Sequence, residues 1–199
     1  MGEKYIDLSG KNIGCAMTGS FCTFREVFAA WENLKETGAE LTPIMSFNAC
    51  SIDNRFYPAK EAVQIFEDIC GRKLLNTIAQ VEPIGPKKLL DLLVVAPCTG
   101  NTLAKIAAGI TDTPVALAVK SHLRNGRNVV IAVSTNDALA HSAINIGKLM
   151  NTKNIFFVPF AQDDPSNKPA SAVAKFEMIA ETADLALKNC QIQPVLREK

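Results

Sequence analysis

Apolar and polar positions run along this chain in two rhythms. NIGCAM (12–17) is a short continuous apolar run, whereas Phe24, Val27, Phe28, Trp31 and Leu34 recur at the spacing of one helical face. Between them Thr18-Gly19-Ser20 supplies small polar residues for a tight turn. Gly38 stands where a helix would be capped, and LTPIMSF (41–47) is the next apolar run. Strand, helix and strand with a short return predict a parallel pair joined by a right-handed crossover.

The alternation continues downstream. A helix is predicted from about Pro58 to Cys70, ending at Gly71, and a short strand near TIAQV (77–81), with Asn48 to Tyr57 read as a loop before them. Pro83, Gly85 and Pro86 interrupt the chain ahead of LLDLLVVA (89–96). Its almost unbroken aliphatic character predicts a central parallel strand covered on both faces. Helices are expected from about Asn101 to Ala108 and across Thr113 to Leu123, with Asp112 as N-cap ahead of Pro114. After the Asn125-Gly126 turn come the strand NVVIAV (128–133), a helix face at Leu139, Ala143, Ile146 and Met150, and the strand NIFFV (154–158). Val173, Phe176, Ala180, Ala183 and Leu187 mark a closing helix, and AQDDPSNKPAS (161–171) is a long polar stretch. The expected architecture is a doubly wound α/β fold, Rossmann-like or flavodoxin-like, with a mostly parallel six-stranded sheet in three layers.

Length and charge narrow the function classes. At 199 residues the chain suits one domain over 1–199, and 21 Lys+Arg against 20 Asp+Glu leave +1, without the basic surplus that nucleic acid or an anionic membrane favours. MGEKYIDLSGKN is charged where a secretory leader is apolar, and no apolar run is long enough to span a bilayer, so a soluble cytoplasmic protein is expected. Cys15, Cys22, Cys50, Cys70, Cys98 and Cys190 form no C-x-x-C pair and only two histidines could join them. No metal site is expected, and the cysteines read mostly as reduced, buried thiols.

In an open parallel sheet, ligands bind outside the carboxyl ends of the strands. Those ends hold Thr18-Gly19-Ser20; Ser46 and Asn48; Pro97-Cys98-Thr99-Gly100-Asn101-Thr102; and Ser134-Thr135-Asn136-Asp137. Singly, such residues are ordinary helix caps. Four such ends at one sheet edge, two of them leading into helix N-termini, point to a phosphate or carboxylate ligand. The first turn lacks G-x-G-x-x-G spacing, which favours a mononucleotide over a dinucleotide. Cys98 has no histidine placed beside it and reads as a pocket wall rather than a nucleophile. His122 reads as a cap or surface residue. His141, on a helix starting at the ligand edge, leaves a binding role open, and Lys120, Arg124 and Arg127 form a basic cluster.

The TGS turn, the PCTGNT segment and AKIAAGITDTP resemble the flavin-dependent family of peptidyl-cysteine decarboxylases, phosphopantothenoylcysteine decarboxylase and the prenylated-flavin synthase. Within it the chain is similar to the branch of dipicolinate synthase B subunits, from GKNIGCAMTGSFCTF through AVSTNDALA and NTKNIFFVPFAQDDPSNKP to QIQPVL. The resemblance implies an FMN site. Gly19, Ser20 and Ser46 would hold the phosphate and ribityl chain, Thr99 and Thr102 would support the flavin, and Asn101 would contact substrate as the catalytic candidate. Thr18, Pro97, Gly100, Ser134 and Asn136 complete the implied cofactor-binding set. The family's proline-x-methionine-asparagine-x-x-methionine clamp survives only at Asn136, with Val133, Thr135 and Leu139 at its other fixed positions, and no histidine precedes His122. Both departures argue against cysteine decarboxylation or flavin prenyl transfer.

The branch implies a partner, a Rossmann-type A subunit, with any NADP carried there. It also implies formation of pyridine-2,6-dicarboxylate in the mother cell of a sporulating bacterium, a small dicarboxylate substrate held by the polar loops and Arg124 or Arg127, and homo-oligomerisation. A non-catalytic scaffold for the A subunit is the remaining alternative.

Overall fold

The computed structural model describes residues 6–198. β1 (Asn12–Met17) and α1 (Phe24–Glu36) lie where the two rhythms place them, and the five apolar residues of the α1 face are all buried. Gly38 sits at φ +85° just past that helix, a left-handed conformation in which a Cβ would be strained. β2 (Glu40–Met45) pairs parallel with β1. A five-residue helix, α2 (Phe47–Ser51), occupies part of the stretch read as a loop; the Ser46 hydroxyl caps it, accepting from the Ala49 N–H at 3.4 Å. α3 (Ala59–Cys70) ends at Gly71 as expected, and its Phe66 ring stacks on Trp31 at 6.2 Å.

The predicted strand at TIAQV is corrected: Ile78–Val81 is a helical turn, α4. The Thr77 hydroxyl accepts from the Gln80 N–H at 3.2 Å, and the Gln80 side chain accepts from the Thr77 N–H at 3.1 Å. This reciprocal capping box, legible as T-x-x-Q, outweighs the β preference of Thr, Ile and Val.

β3 (Leu92–Cys98) is buried throughout and pairs parallel with β1 on one side and β4 (Val129–Thr135) on the other. α5 (Gly100–Ala108) and α6 (Pro114–Leu123) connect them. The cap of α6 is Thr113, whose hydroxyl accepts from the Ala116 N–H at 3.3 Å; Asp112 instead pairs with Lys105. α7 (His141–Met150) buries Ser142, Ile146 and Leu149 but exposes Ala143 and Met150, so its core face is rotated from the predicted one. The cause is local: Leu139 precedes the helix, and counting turns from it sets the wrong register.

β5 (Ile155–Phe157) runs parallel to β4. β6 (Phe160–Gln162) and β7 (Ala172–Ala174) then form an antiparallel hairpin around the polar segment, and β7 pairs with Ser134 and Thr135 at the end of β4. Val173 therefore lies in a strand and Phe176 in a helical turn, and α8 (Ile179–Leu187) starts later than the predicted closing helix. The described residues thus form a seven-stranded sheet where six strands were expected, because three-residue strands leave no readable period. The parallel order β2-β1-β3-β4-β5 is flavodoxin-like, and β1 has β2 on one side and β3 on the other. That reversal of winding opens a cleft beyond the carboxyl ends of β1 and β3. α1 packs with α3 and α8, and α5 with α6 and α7, as the two helical layers. No helix of the described residues is long and apolar enough to cross a membrane.

Candidate functional site

The cleft floor is built by strand ends tying themselves together. Buried Thr18 donates through its hydroxyl to the Pro97 carbonyl at 2.7 Å and accepts from the Thr99 N–H at 3.0 Å, which locks the end of β1 to the turn after β3. The Ser20 and Ser134 hydroxyls, 2.7 Å apart, join the first turn to the end of β4. Thr99 reaches the Thr102 hydroxyl at 3.3 Å, but its side chain does not cap α5, leaving the first-turn N–H groups of that helix available at the cleft.

Two cavities lie on this floor. The first, ≈ 540 Å³, is lined by Thr18, Gly19, Ser46, Asn48, Thr99, Asn101 and Thr102 with Phe47, Lys105 and Thr113. The second, ≈ 380 Å³, includes Gly19, Ser20, Thr99, Ser134, Thr135 and Asn136, together with Arg55, Asp163 and Lys168. Both volumes fall in the range of roughly 300–1,000 Å³ typical of small-molecule sites. Gly19 and Thr99 line both, so the cavities are neighbours.

Of the residues expected to bind cofactor or substrate, Pro97 and Gly100 line neither cavity, and neither does His141, whose binding role was open. Pro97 is buried and acts through its carbonyl. Gly100 begins α5 where there is no room for a side chain: an added Cβ would stand 2.7 Å from Ser142 Oγ, 2.7 Å from Thr135 Oγ1 and 2.8 Å from Asp137 Oδ1. Those three atoms form a network, with Thr135 donating to Asp137 at 2.5 Å and Ser142 at 2.8 Å. The Thr135 hydrogen bond, with Ser142 behind it, holds the Asp137 carboxyl below its ordinary value against partial burial.

Four sequence expectations change. His122 is buried, not a surface residue; burial, then the Arg127 charge, pushes its pKa from 6.5 to about 4. It lies at the end of α6, whereas the start of that helix, at Thr113, borders the first cavity. Arg127 binds the Leu90 carbonyl and lies 3.6 Å from Asp91, ahead of β3 and β4 and away from the cleft, so it and Arg124 supply no cation there. Only half of the cysteines are buried: Cys15, Cys70 and Cys98, while Cys22 and Cys190 are exposed and none of the six is paired. Cys98 is fully buried and lines neither cavity, so it is core beneath the turn rather than a pocket wall; burial pushes its thiol well up, which disfavours a thiolate nucleophile.

The cleft cations are Lys105, Arg55 and Lys168, none of which sequence reasoning selected. Lys105 was legible, since it stands four residues after Asn101 on one helix face. It is held by Asp112 at 2.6 Å. Arg55 and Lys168 come from segments without periodicity and left no sequence signal.

Comparison with known proteins agrees with this architecture. The profile of the Flavoprotein family matches residues 1–187. The B subunit of dipicolinate synthase from Bacillus subtilis (strain 168) is 47% identical over 191 residues, 96% of each chain. The crystal structure of the dipicolinate synthase B subunit from Bacillus halodurans matches with a TM-score of 0.90 at 44% identity, covering 98% of this chain and 100% of that one. The FMN-dependent cysteine decarboxylase SpaF shares the fold, with a TM-score of 0.67 at 21% identity over 92% of this chain and 98% of that one. Matched along almost its whole length, the chain belongs to the Flavoprotein family, on the branch of the dipicolinate synthase B subunits.

Proposed function

We propose that the chain, as one flavoprotein-like domain, binds FMN in the first cavity. In this reading it acts with a Rossmann-type A subunit to form pyridine-2,6-dicarboxylate from a dihydrodipicolinate-pathway intermediate. The observation that carries the flavin half is the uncapped start of α5 over the ≈ 540 Å³ cavity, among neutral hydroxyl and amide donors at the switch point of the sheet. Gly19 fits the same reading: an added Cβ there meets nothing nearer than the Phe21 ring at 3.7 Å, so that position is open for a ligand to approach the backbone. The near full-length likeness to B subunits supports the synthase half.

Thr18, Gly19 and Ser46 would take the phosphate and ribityl end, Thr99 and Thr102 the flavin, and exposed Asn101 the substrate side, while Ser20 reaches the ligand only from the neighbouring cavity. Pro97 and Gly100 set the backbone of that turn, and Ser134 and Asn136 line the neighbouring cavity. A flavin bound there supplies a two-electron acceptor or donor. Any NADP belongs to the A subunit in this scheme. The setting would be the mother-cell cytoplasm of a sporulating bacterium. Exposed Leu139, Ile144 and Met150 around α7 support a homo-oligomer. The decarboxylases share this fold at low identity, which shows the fold alone; the missing early histidine and the clamp reduced to Asn136 favour the synthase reading.

Purification with added FMN tests the cofactor. The expected result is a bound-flavin spectrum and, at a hundredfold excess over Kd, stabilisation by about 2.7 kcal/mol, a rise in Tm of roughly 5–10 °C. No flavin spectrum and no FMN-dependent rise would sink this half of the reading.

A further inference from the structure

One charge in the first cavity has no part in the flavin reading so far. Lys105 is the single charged residue in that wall among the described residues; every other lining group is neutral. It stands on α5 one turn beyond Asn101 and Thr102, the residues assigned to the substrate side and the flavin, and so shares their face of the helix. Gly109, at φ +72°, then ends α5, the Ile110 N–H donates to the Lys105 carbonyl at 2.9 Å, and the chain turns back to bring Asp112 to Lys105. The ammonium donates to both carboxylate oxygens, at 2.7 and 2.6 Å. Two of its three N–H donors are used in this way, which leaves the third for the cavity. The Lys105 hydrogen bond holds the Asp112 carboxyl below its ordinary value, so the carboxylate stays ionised at neutral pH. Lys105 is the inner member, its side chain 20% exposed against 58% for Asp112. A cation thus lies in the wall, with its counter-charge behind it on the solvent side.

We infer that Lys105 and Asp112 together set the reduction potential of a flavin in the first cavity, Lys105 raising it from the wall and Asp112 holding it down from the solvent side. The inference rests on the flavin reading of that cavity. Accepting a hydride brings the flavin two electrons and one proton, so its ring gains one negative charge. A fixed ammonium on the ring side of the cavity therefore favours the reduced form, charge beside the ring being one means by which a protein tunes a flavin. Asp112 touches no ligand; it is a positioning residue that aims the ammonium and offsets part of its field. The two members then act with opposite signs, whereas a purely structural clip would fail in the same way whichever member is lost.

Reduction of the FMN-loaded full chain by dithionite, at equilibrium with a reference dye, tests this. Lys105→Gln should lower the affinity for reduced relative to oxidised flavin about tenfold, a fall of about 30 mV for a two-electron couple. Asp112→Asn should raise the same ratio about threefold, a rise of about 15 mV. Lys105→Arg keeps the charge and should stay close to wild type. The pair is partly exposed, and such pairs add little stability, so none of these variants threatens folding. Should Lys105→Gln release its FMN, the sign of the Asp112→Asn shift decides. Potentials that move in the same direction in Lys105→Gln and Asp112→Asn, or in neither, with FMN bound, would overturn the inference and leave the flavin reading standing. A wild-type chain that takes no FMN would sink both.

Discussion

Gly100 offers the sharpest test of how the cleft is assembled. Its φ is ordinary; what it supplies is space, since a Cβ would lie 2.7–2.8 Å from three side-chain atoms that hydrogen-bond one another around Asp137. Gly100→Ala must displace the network or the start of α5. Overpacking of this kind costs about 1–3 kcal/mol, and losing one hydrogen bond to the carboxylate costs about 1.5–3 kcal/mol. A gain in helix propensity of at most about 1 kcal/mol offsets part of that. The net loss should be on the order of 2 kcal/mol, a fall in Tm of roughly 4–8 °C for a chain of this size. Urea unfolding of wild type and variant measures it, with Gly147→Ala as the control. Gly147 is also helical, but its Cβ would meet nothing within 4 Å, so that change should be neutral or stabilising. Gly100→Ala at wild-type stability would refute the view that Asp137, Thr135 and Ser142 clamp the turn that presents Asn101.

Two further outcomes are expected. His122 titrates near 6.5 in the unfolded chain and about 4 when folded, so between those values the unfolded state binds more protons. The stability it contributes is complete above pH 6.5 and is lost as pH falls towards 4, by on the order of 3 kcal/mol. His122→Leu should flatten this acid limb in denaturant midpoints taken from pH 7 to pH 4; an unaltered limb would count against the assignment. Gly19→Ala, with no neighbour closer than 3.7 Å, should change stability by no more than about 0.5 kcal/mol yet weaken FMN, and unaltered flavin affinity would move the cofactor away from the first turn.

Much of this molecule was legible because its strongest signals are local. The continuous LLVVA run becomes the buried middle of the sheet, and Gly38 and Gly71 end helices with positive φ as their positions required. The rule that ligands gather beyond strand ends brought Thr18, Ser46, Thr99 and Asn101 together without any coordinates. The misses also have physical causes. β6 and β7 are too short to show a period and exist because they pair with each other and with Ser134 and Thr135, contacts remote in sequence. Arg55 and Lys168 reach the cleft only because loops fold over it, whereas Arg127 looked equally available and is spent on Leu90 and Asp91 ahead of the strands. The burial of His122 leaves no mark in the sequence, because polarity, not packing, is what one sequence shows.

The central claim is that this chain contributes a working site, rather than a platform, to dipicolinate synthesis. Formation of pyridine-2,6-dicarboxylate by the A subunit mixed with this chain and FMN tests it directly, with association of the two chains measured on the same samples. Activity should need this chain and fall by about a hundredfold or more in Asn101→Ala, the scale of losing one well-placed polar group at a reacting centre, while the two chains still associate. Full activity in an Asn101→Ala variant that holds the A subunit normally would contradict it and leave the chain a scaffold.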